Sequence, residues 1–139
     1  MYNSQNPDDS LIFRMSQLGE GYRLSRNFRL GEPGIQSGCG SDIIFIHPAL
    51  ILLMQELRDE YGALRVNSLY RSQAHNTRIQ GEKESKHLLG MAVDLSPLET
   101  KFERFRDSVA KMDNVGGIGI YRTFIHLDVY GKNRRWTNG

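Results

Sequence analysis

The residues best suited to chemistry in this sequence are two histidines and an aspartate. His87 and Asp94 lie in the segment 85–94, and His126 lies in the later segment 124–128. Two imidazoles and a carboxylate suit zinc, although other divalent ions can occupy the same set. Three protein ligands leave one tetrahedral position open for water, which a hydrolytic zinc site needs and a structural site lacks. The three side chains therefore predict a hydrolytic Zn²⁺ site.

Strand periodicity explains how these side chains would meet. In the segment 123–130, His126 and Asp128 fall on one face and the apolar residues between them fall on the other, because side chains alternate along a strand. Asp94 likewise points away from its apolar neighbours. Two adjacent antiparallel strands would bring Asp94 and His126 within metal-ligand distance, and His87 would arrive from the loop before Gly90.

Asp94 is the most informative of the three because it interrupts an apolar strand. A buried carboxylate without a partner is costly, so it must be ion-paired, hydrogen-bonded or bound to a metal. An ion pair between Asp94 and Arg71 is the structural alternative to metal binding. A single histidine is weaker evidence, since most histidines are ordinary surface or core-edge residues.

Local patterns predict the elements that would position these residues. Pro48 suits the first turn of a helix, apolar residues follow it at helical spacing, and Gly62 suits the end of that helix. Signals before Pro48 are weak and favour short strands and turns. The further expected elements are strands at 64–68 and 92–95, a short helix from residue 71, an amphipathic helix at 99–112 and a hairpin at 116–130.

Length and composition predict one globular domain over residues 1–139, with a flexible arm at 1–10 and a polar tail at 131–139. A net charge of +2 is too small for a nucleic-acid-binding footprint, and the basic tail is expected to be a solvated end. The single cysteine, Cys39, excludes an intrachain disulfide and is expected to be inert. The longest apolar run, 49–54, is too short to span a membrane.

The motifs around these residues resemble one family of zinc peptidases, the D-alanyl-D-alanine carboxypeptidases and related murein endopeptidases. That family has the pattern Ser-x-His-x-x-Gly-x-Ala-x-Asp, a preceding Ser-x-Tyr-Arg, and a second histidine on a strand after a glycine-rich hairpin. The variant ending in His-x-Asp, as here, is similar to a small branch often associated with phages. The matching residues are Ser68, Tyr70, Arg71, Asn76, Ser85, His87, Gly90, Ala92, Asp94, Gly117, Gly119, Tyr121 and His126.

The resemblance implies an α+β fold in which helices pack on one side of a small antiparallel sheet and zinc lies in a surface cleft. It implies that the two histidines and Asp94 are the zinc ligands. It also implies that Arg71 orients the substrate and stabilises the oxyanion that develops during hydrolysis. We expect the remaining polar residues of the two motifs, Ser68, Tyr70 and Ser85, to bind substrate.

One position departs from the best-known members of that family. They carry an acidic residue three positions before the second zinc histidine, and this chain has Thr123 there. A threonine cannot be the general base that takes a proton from water. Asp128 is the nearest replacement, although it could instead hold the ring of His126. His75 and Glu84 are the other candidates.

The resemblance implies a zinc metallopeptidase that cuts peptidoglycan stem peptides or cross-bridges, as a carboxypeptidase or an endopeptidase. Residues 1–10 show no secretory signal, so we expect synthesis in the bacterial cytoplasm and action on the cell wall after lysis or from a phage virion. A phage lysin or virion-associated hydrolase, with phage tail proteins as partners, is the form we expect. The alternative is a non-catalytic, zinc-binding cell-wall module of a phage tail, which Thr123 motivates and Arg71 opposes.

Overall fold

A five-stranded sheet organises the chain in the computed structural model, which describes residues 2–36 and 39–138. Short 3-10 turns lie at Pro7–Asp9 and Lys86–Leu89. The helices are α1 (Met15–Leu18), α2 (Pro33–Gln36), α3 (Pro48–Tyr61), α4 (Gln73–Arg78) and α5 (Phe102–Ala110). The strands are β1 (Leu11–Arg14), β2 (Arg23–Ser25), β3 (Phe28–Arg29), β4 (Ile43–Ile46), β5 (Leu64–Ser68), β6 (Ala92–Pro97), β7 (Gly117–Tyr121), β8 (Ile125–Asp128) and β9 (Arg134–Asn138).

The central sheet has the strand order β5-β6-β8-β7-β9. The expected hairpin is formed by β7 and β8, and β6 pairs with β8 so that Asp94 lies opposite His126. The α+β class and the small antiparallel sheets are confirmed, but the central sheet is not purely antiparallel, because β9 pairs in parallel with β7. Both sides of β8 are already paired, and the chain after it passes to the free side of β7, where β9 runs in the same direction as that strand.

The apolar face of the sheet and two helices form the core. Helix α3 buries one stripe of side chains and α5 buries two residues, and both helices contact β6. This apolar stripe follows the helical spacing expected from the sequence. The buried residues that α3, α5, β6 and β8 contribute are Leu50, Leu53, Met54, Leu57, Phe105, Val109, Val93, Leu95, Ile125 and Leu127. Packing on this face leaves the polar side chains of β6 and β8 on the other face.

Helix α3 begins at a histidine cap that the sequence did not reveal. The ring of His47 is buried; its Nδ1 accepts a hydrogen bond from the amide of Ala49 at 3.0 Å, and its Nε2 lies 3.2 Å from the carbonyl oxygen of Asn6. This pair of contacts requires the neutral ring, with the proton on Nε2. Burial lowers the pKa of His47 below 6.5, although the Asn6 carbonyl and nearby Asp9 oppose that shift.

Replacing His47 by Asn should therefore flatten the pH dependence of stability in the metal-free protein, because Asn also caps a helix but does not titrate. Below about pH 6.5 the unfolded chain binds a proton at His47 more readily than the folded chain does, so the wild-type free energy of unfolding falls as pH drops. Urea denaturation from about pH 7.5 to about pH 5 should show a smaller fall for the variant. Parallel curves would contradict this role.

The segment 1–10 differs from the flexible arm expected, since its described residues are held against the fold. Tyr2 is 3% exposed, its hydroxyl donates to Glu56, and its backbone amide donates to the carbonyl of Asn114. Burial and the bond to Glu56 raise the pKa of Tyr2 to about 12. The polar composition of residues 1–10 gave no sign that Tyr2 would be buried, because the residues that contact it come from distant parts of the chain.

The tail expected at 131–139 is also different, because most of it is strand β9. Its alternation of half-buried and exposed residues is that of an edge strand. Among the described residues, no helix is long and apolar enough to cross a bilayer.

Candidate metal centre

One row of paired residues crosses all five strands of the central sheet. Ser68 pairs with Asp94, Asp94 with His126, His126 with Gly119, and Gly119 with Trp136. We call these five residues the central row. Directly paired residues project to the same face of a sheet, so strand register, with an irregularity between Val66 and Ser68 of β5, gathers side chains from β5, β6, β8 and β9 on the polar face.

The three expected ligands meet at the middle of this row. Nε2 of His87 lies 3.3 Å from Oδ1 of Asp94, and Nδ1 of His126 lies 3.1 Å from the same oxygen. One ligand atom from each residue lies within 4.8 Å of the others. Two ligands held about 2.1 Å from a tetrahedral zinc are about 3.4 Å apart, which is close to both separations. The donor set and its spacing therefore fit a zinc ion.

His87 is placed by the 3-10 turn that precedes β6. The hydroxyl of Ser85 caps this turn by accepting from the amide of His87 at 3.2 Å. The turn ends at Gly90, whose φ of +70° favours glycine and where a Cβ atom would lie 2.0 Å from the carbonyl oxygen of Phe45. Nδ1 of His87 lies 2.5 Å from the carbonyl oxygen of Leu69, which fixes the proton there and leaves Nε2 free to bind a metal.

His126 is oriented by Asp128, two residues along the same strand. Nε2 of His126 lies 2.9 Å from Oδ2 of Asp128, so Nδ1 is the nitrogen turned towards Asp94. Asp128 is fully buried, and its Oδ1 accepts from the amides of Gly117 and Tyr130 and from the guanidinium of Arg134. Both carboxylate oxygens are therefore occupied in holding the ring and the β7–β8 hairpin.

The protonation of the metal-free cluster follows from these contacts. Burial alone would raise the pKa of Asp94, but the neighbouring His87 and His126 hold it well below its ordinary value. Burial lowers the pKa of His126, but its bonds to Asp128 and Asp94 outweigh that effect and raise it. Without metal the cluster thus favours a carboxylate beside an imidazolium, and a bound cation must displace the proton of His126.

Arg71 lies at the β5 side of the cluster. Its Nη2 is 3.6 Å from Oδ2 of Asp94, so the ion pair raised as the structural alternative is present. Its Nε donates to the hydroxyl of Ser68 at 3.2 Å, and its Nη1 donates to Oδ1 of Asn76 at 3.4 Å. Burial lowers the pKa of Arg71, against the opposing effect of Asp94. These contacts fix the guanidinium on three sides while its side chain stays 15% exposed.

The comparison with known protein families matches residues 24–128 to the family described as Peptidase M15. This chain belongs to that family. The M15 family is the one that the sequence motifs resemble, and the match makes the chain a metallopeptidase by family. A comparison with curated proteins found no match. The three ligand positions and Arg71 all lie within the matched residues.

The cluster opens into a cleft of about 360 Å³. Some of the M15 motif residues line this cleft, and others make contacts within the protein. Ser85 lines the cleft, whereas the hydroxyl of Ser68 is engaged with Arg71. Tyr70 was expected to bind substrate, but its ring is buried in the core against Phe45, with 5.5 Å between ring centroids. Thr123 is exposed. The cleft is lined by Arg71, Glu82, Glu84, Ser85, Lys86, His87, Asp94, Tyr121, Phe124, His126, Asp128, Arg134 and Trp136.

Two cleft residues, Arg134 and Trp136, lie beyond the matched M15 region and were not identified from the sequence. Arg134 neutralises Asp128, and the ring of Trp136 lies with its centroid 5.2 Å from that of His126. Their spacing of two residues is a strand signal that the basic composition of the tail concealed. The parallel partner of β9 is not readable from local pattern, so no sequence signal places these residues at the cleft.

Replacing Asp128 by Asn should weaken zinc binding about 10- to 100-fold, because the ring of His126 loses the charge that orients it. Competition with a chromophoric chelator measures the zinc dissociation constant. The control is Asp113→Asn, since Asp113 is exposed on the surface. An unchanged zinc affinity in a folded Asp128→Asn protein would rule out the orienting role.

Proposed function

We propose that this chain is a zinc-dependent hydrolase of peptidoglycan peptides, acting on stem peptides or cross-bridges as a carboxypeptidase or an endopeptidase. The observation that carries the proposal is the ligand cluster of a Peptidase M15 chain, which opens into a cleft beside a fixed guanidinium. Three protein ligands are the number that catalytic zinc sites use. The cationic side chains of Arg71, Lys86 and Arg134 also suit a substrate that carries carboxylates.

The metal ligands, Arg71 and Asp128 have different roles in the proposed hydrolysis. His87, Asp94 and His126 would hold a zinc ion, which would lower the pKa of water and polarise the scissile carbonyl. Arg71 directs its guanidinium at the carbonyl oxygen as charge develops there, and its bonds to Ser68 and Asn76 hold it in place before substrate arrives. Asp128 keeps Nδ1 of His126 turned towards the metal position by its contact with Nε2 of the same ring.

The general base is assigned by elimination among the described residues. Four carboxylate side chains line the cleft, those of Glu82, Glu84, Asp94 and Asp128. Asp94 belongs to the ligand set. Both oxygens of Asp128 are engaged in hydrogen bonds, so neither of these two carboxylates is free to act as the base. The remaining pair, Glu82 and Glu84, is exposed on the loop before the 3-10 turn.

The loop that carries this pair is tied to Arg71 through the buried side chain of Asn76. Nδ2 of Asn76 donates to the carbonyl of Glu82 at 2.8 Å, while its Oδ1 accepts from Arg71. His75, the other candidate, is not among the described residues that line the cleft, and its Nδ1 lies 3.5 Å from Arg78. We therefore place the base on this loop.

Replacing the active one of the two glutamates by Gln should lower kcat about 10²- to 10⁴-fold and remove the acidic limb of the pH–rate profile. Glu82→Gln and Glu84→Gln serve as controls for each other, because both residues are exposed on one loop. Zinc content should be unchanged in both variants. Wild-type kcat in both would show that the base lies elsewhere.

The proposal is tested by incubating zinc-loaded protein with purified peptidoglycan and identifying the released fragments by mass spectrometry. New peptide termini should appear, disappear with a chelator and return when zinc is restored. Loss of a terminal residue identifies a carboxypeptidase, and cut cross-bridges identify an endopeptidase. If the zinc-loaded protein binds the wall without cutting it, the chain is the non-catalytic wall-binding module that Thr123 suggests.

The place where the enzyme acts is part of the same proposal. It includes action on the cell wall after lysis or from a phage virion, which the resemblance of the motif His126-x-Asp128 to phage-associated members suggests. Expression in a bacterial cytoplasm should then leave cells intact until the membrane is permeabilised, when turbidity should fall. Lysis without permeabilisation would contradict this setting and leave the peptidase proposal standing.

A further inference from the structure

The central row ends at an aromatic side chain that neither the proposed chemistry nor the M15 match uses. Trp136 pairs with Gly119 across β7 and β9, and a Cβ atom at Gly119 would lie 2.4 Å from Cε2 of the indole. The ring therefore occupies the space above a glycine. A side chain at position 119 would separate Trp136 from His126, whereas glycine lets the two rings meet at a centroid distance of 5.2 Å.

Further aromatic residues extend this surface. The indole Nε1 of Trp136 donates to the hydroxyl of Tyr121 at 3.2 Å. The ring of Tyr121 is stacked on Phe124 with centroids 4.5 Å apart and planes 9° apart. All three residues line the cleft. The polar group of the indole is satisfied within the protein, so the part of the ring that lines the cleft offers apolar contact.

Trp136 and Arg71 lie on opposite sides of the metal position. Arg71 is bonded to Ser68 at one end of the central row, Trp136 is the other end, and Asp94 and His126 lie between them. When the scissile carbonyl of a peptide is at the metal position and beside Arg71, a neighbouring residue of that peptide can reach Trp136 on the other side. Asp128 is already paired with Arg134 and His126, so it offers no free carboxylate to an incoming ammonium group, and the apolar ring of Trp136 suits an uncharged side chain.

We propose that Trp136 forms one wall of a substrate subsite that binds an aliphatic peptide side chain next to the scissile bond. The proposal rests on the proposed peptidase function and names the substrate residue that its cleft selects. Strand β9 thereby supplies substrate recognition from outside the matched M15 residues.

The test compares the binding of three blocked dipeptides by zinc-loaded protein: acetyl-Gly-Gly, acetyl-D-Ala-D-Ala and acetyl-D-Lys-D-Ala. Calorimetry gives each dissociation constant. The wild type should favour the alanyl dipeptide over the glycyl one by at least about fourfold, the value expected for one buried methyl group. Trp136→Ala should weaken alanyl binding about tenfold and remove this preference, while Trp136→Phe should keep most of it.

Gly119→Ala is the second variant, because it should displace the indole without removing it. Trp136 is the only tryptophan of the chain, so the intrinsic fluorescence of this variant reports the displacement directly. It should lose the alanyl preference as Trp136→Ala does. Circular dichroism on each variant separates these effects from a failure to fold.

Three outcomes would overturn the subsite: alanyl affinity unchanged in both Trp136→Ala and Gly119→Ala, tightest binding of the lysyl dipeptide through Trp136, or a change confined to zinc affinity. The lysyl outcome would identify a cation site instead of an aliphatic one. Hydrolysis is measured on the same samples. Trp136-dependent binding without cleavage of any peptide would refute the proposed function while retaining the subsite.

Discussion

Asp94→Asn protein should lose its stoichiometric zinc and about 10³-fold or more of its hydrolytic rate. Asp94 is the residue that both histidines face, at 3.3 and 3.1 Å, so its charge is shared by the whole ligand cluster. Removing that charge leaves two neutral or protonated imidazoles, which hold a divalent cation poorly. The metal supplies several kcal/mol of transition-state stabilisation, and each 1.36 kcal/mol is tenfold in rate. Atomic absorption on desalted protein and the peptidoglycan assay measure the two effects.

The matched control for this change is Asp107→Asn, because the Asp107 side chain is 65% exposed and pairs only with its neighbour Arg106 among the described contacts. It should keep wild-type zinc content and rate. His87→Ala offers a second route to the same result if Asp94→Asn does not fold. One zinc per chain and a rate within about tenfold of wild type in folded Asp94→Asn would refute the metal centre.

Arg71→Lys protein should keep its zinc but lose about 10²- to 10³-fold in kcat, which is the cost of removing one oxyanion donor. Lysine keeps the positive charge but cannot reproduce the guanidinium contacts to Ser68 and Asn76. The effect should fall mainly on kcat, because the interaction strengthens as charge develops on the carbonyl oxygen. Steady-state kinetics on a defined peptide substrate provides the measurement.

Arg65→Lys is the control for Arg71→Lys, since Arg65 is exposed on the same strand, β5. The competing role for Arg71 is the ion pair with Asp94, at 3.6 Å. If that pair were its whole purpose, Arg71→Lys would lower zinc affinity or thermal stability and leave kcat at saturating zinc unchanged. The division between these readouts distinguishes a catalytic guanidinium from a structural one.

The middle of the site was predictable because it depends on local signals. Alternation within β8 assigned His126 and Asp128 to one face, and the apolar strand around Asp94 required a partner for its carboxylate. Antiparallel pairing of β6 with β8 then gave the expected register. The expected ligand cluster follows from these two strands and one turn.

The two ends of the fold were not predictable, because distant contacts determine them. Tyr2 is buried by pairing beside Val115, and β9 adds to the sheet in parallel with β7. Neither partner is encoded in the local pattern of the segment it holds. The role of Asp128 depended on the same unknown, since Arg134 completes its set of donors. The sequence therefore left the base and the orienting roles open for this residue.

The central row also sets a length scale for what the cleft can hold. It crosses four gaps between strands, from Ser68 on β5 to Trp136 on β9. Strands lie about 4.8 Å apart, so the row measures about 19 Å, which an extended chain covers in about six residues. The side chains shorten the gap that a ligand must span, because the guanidinium of Arg71 lies 3.6 Å from Asp94 and the ring centroid of Trp136 lies 5.2 Å from that of His126. A short peptide bound at the metal position can therefore contact both side chains, although one follows β5 and the other lies on β9, the two edge strands of the sheet.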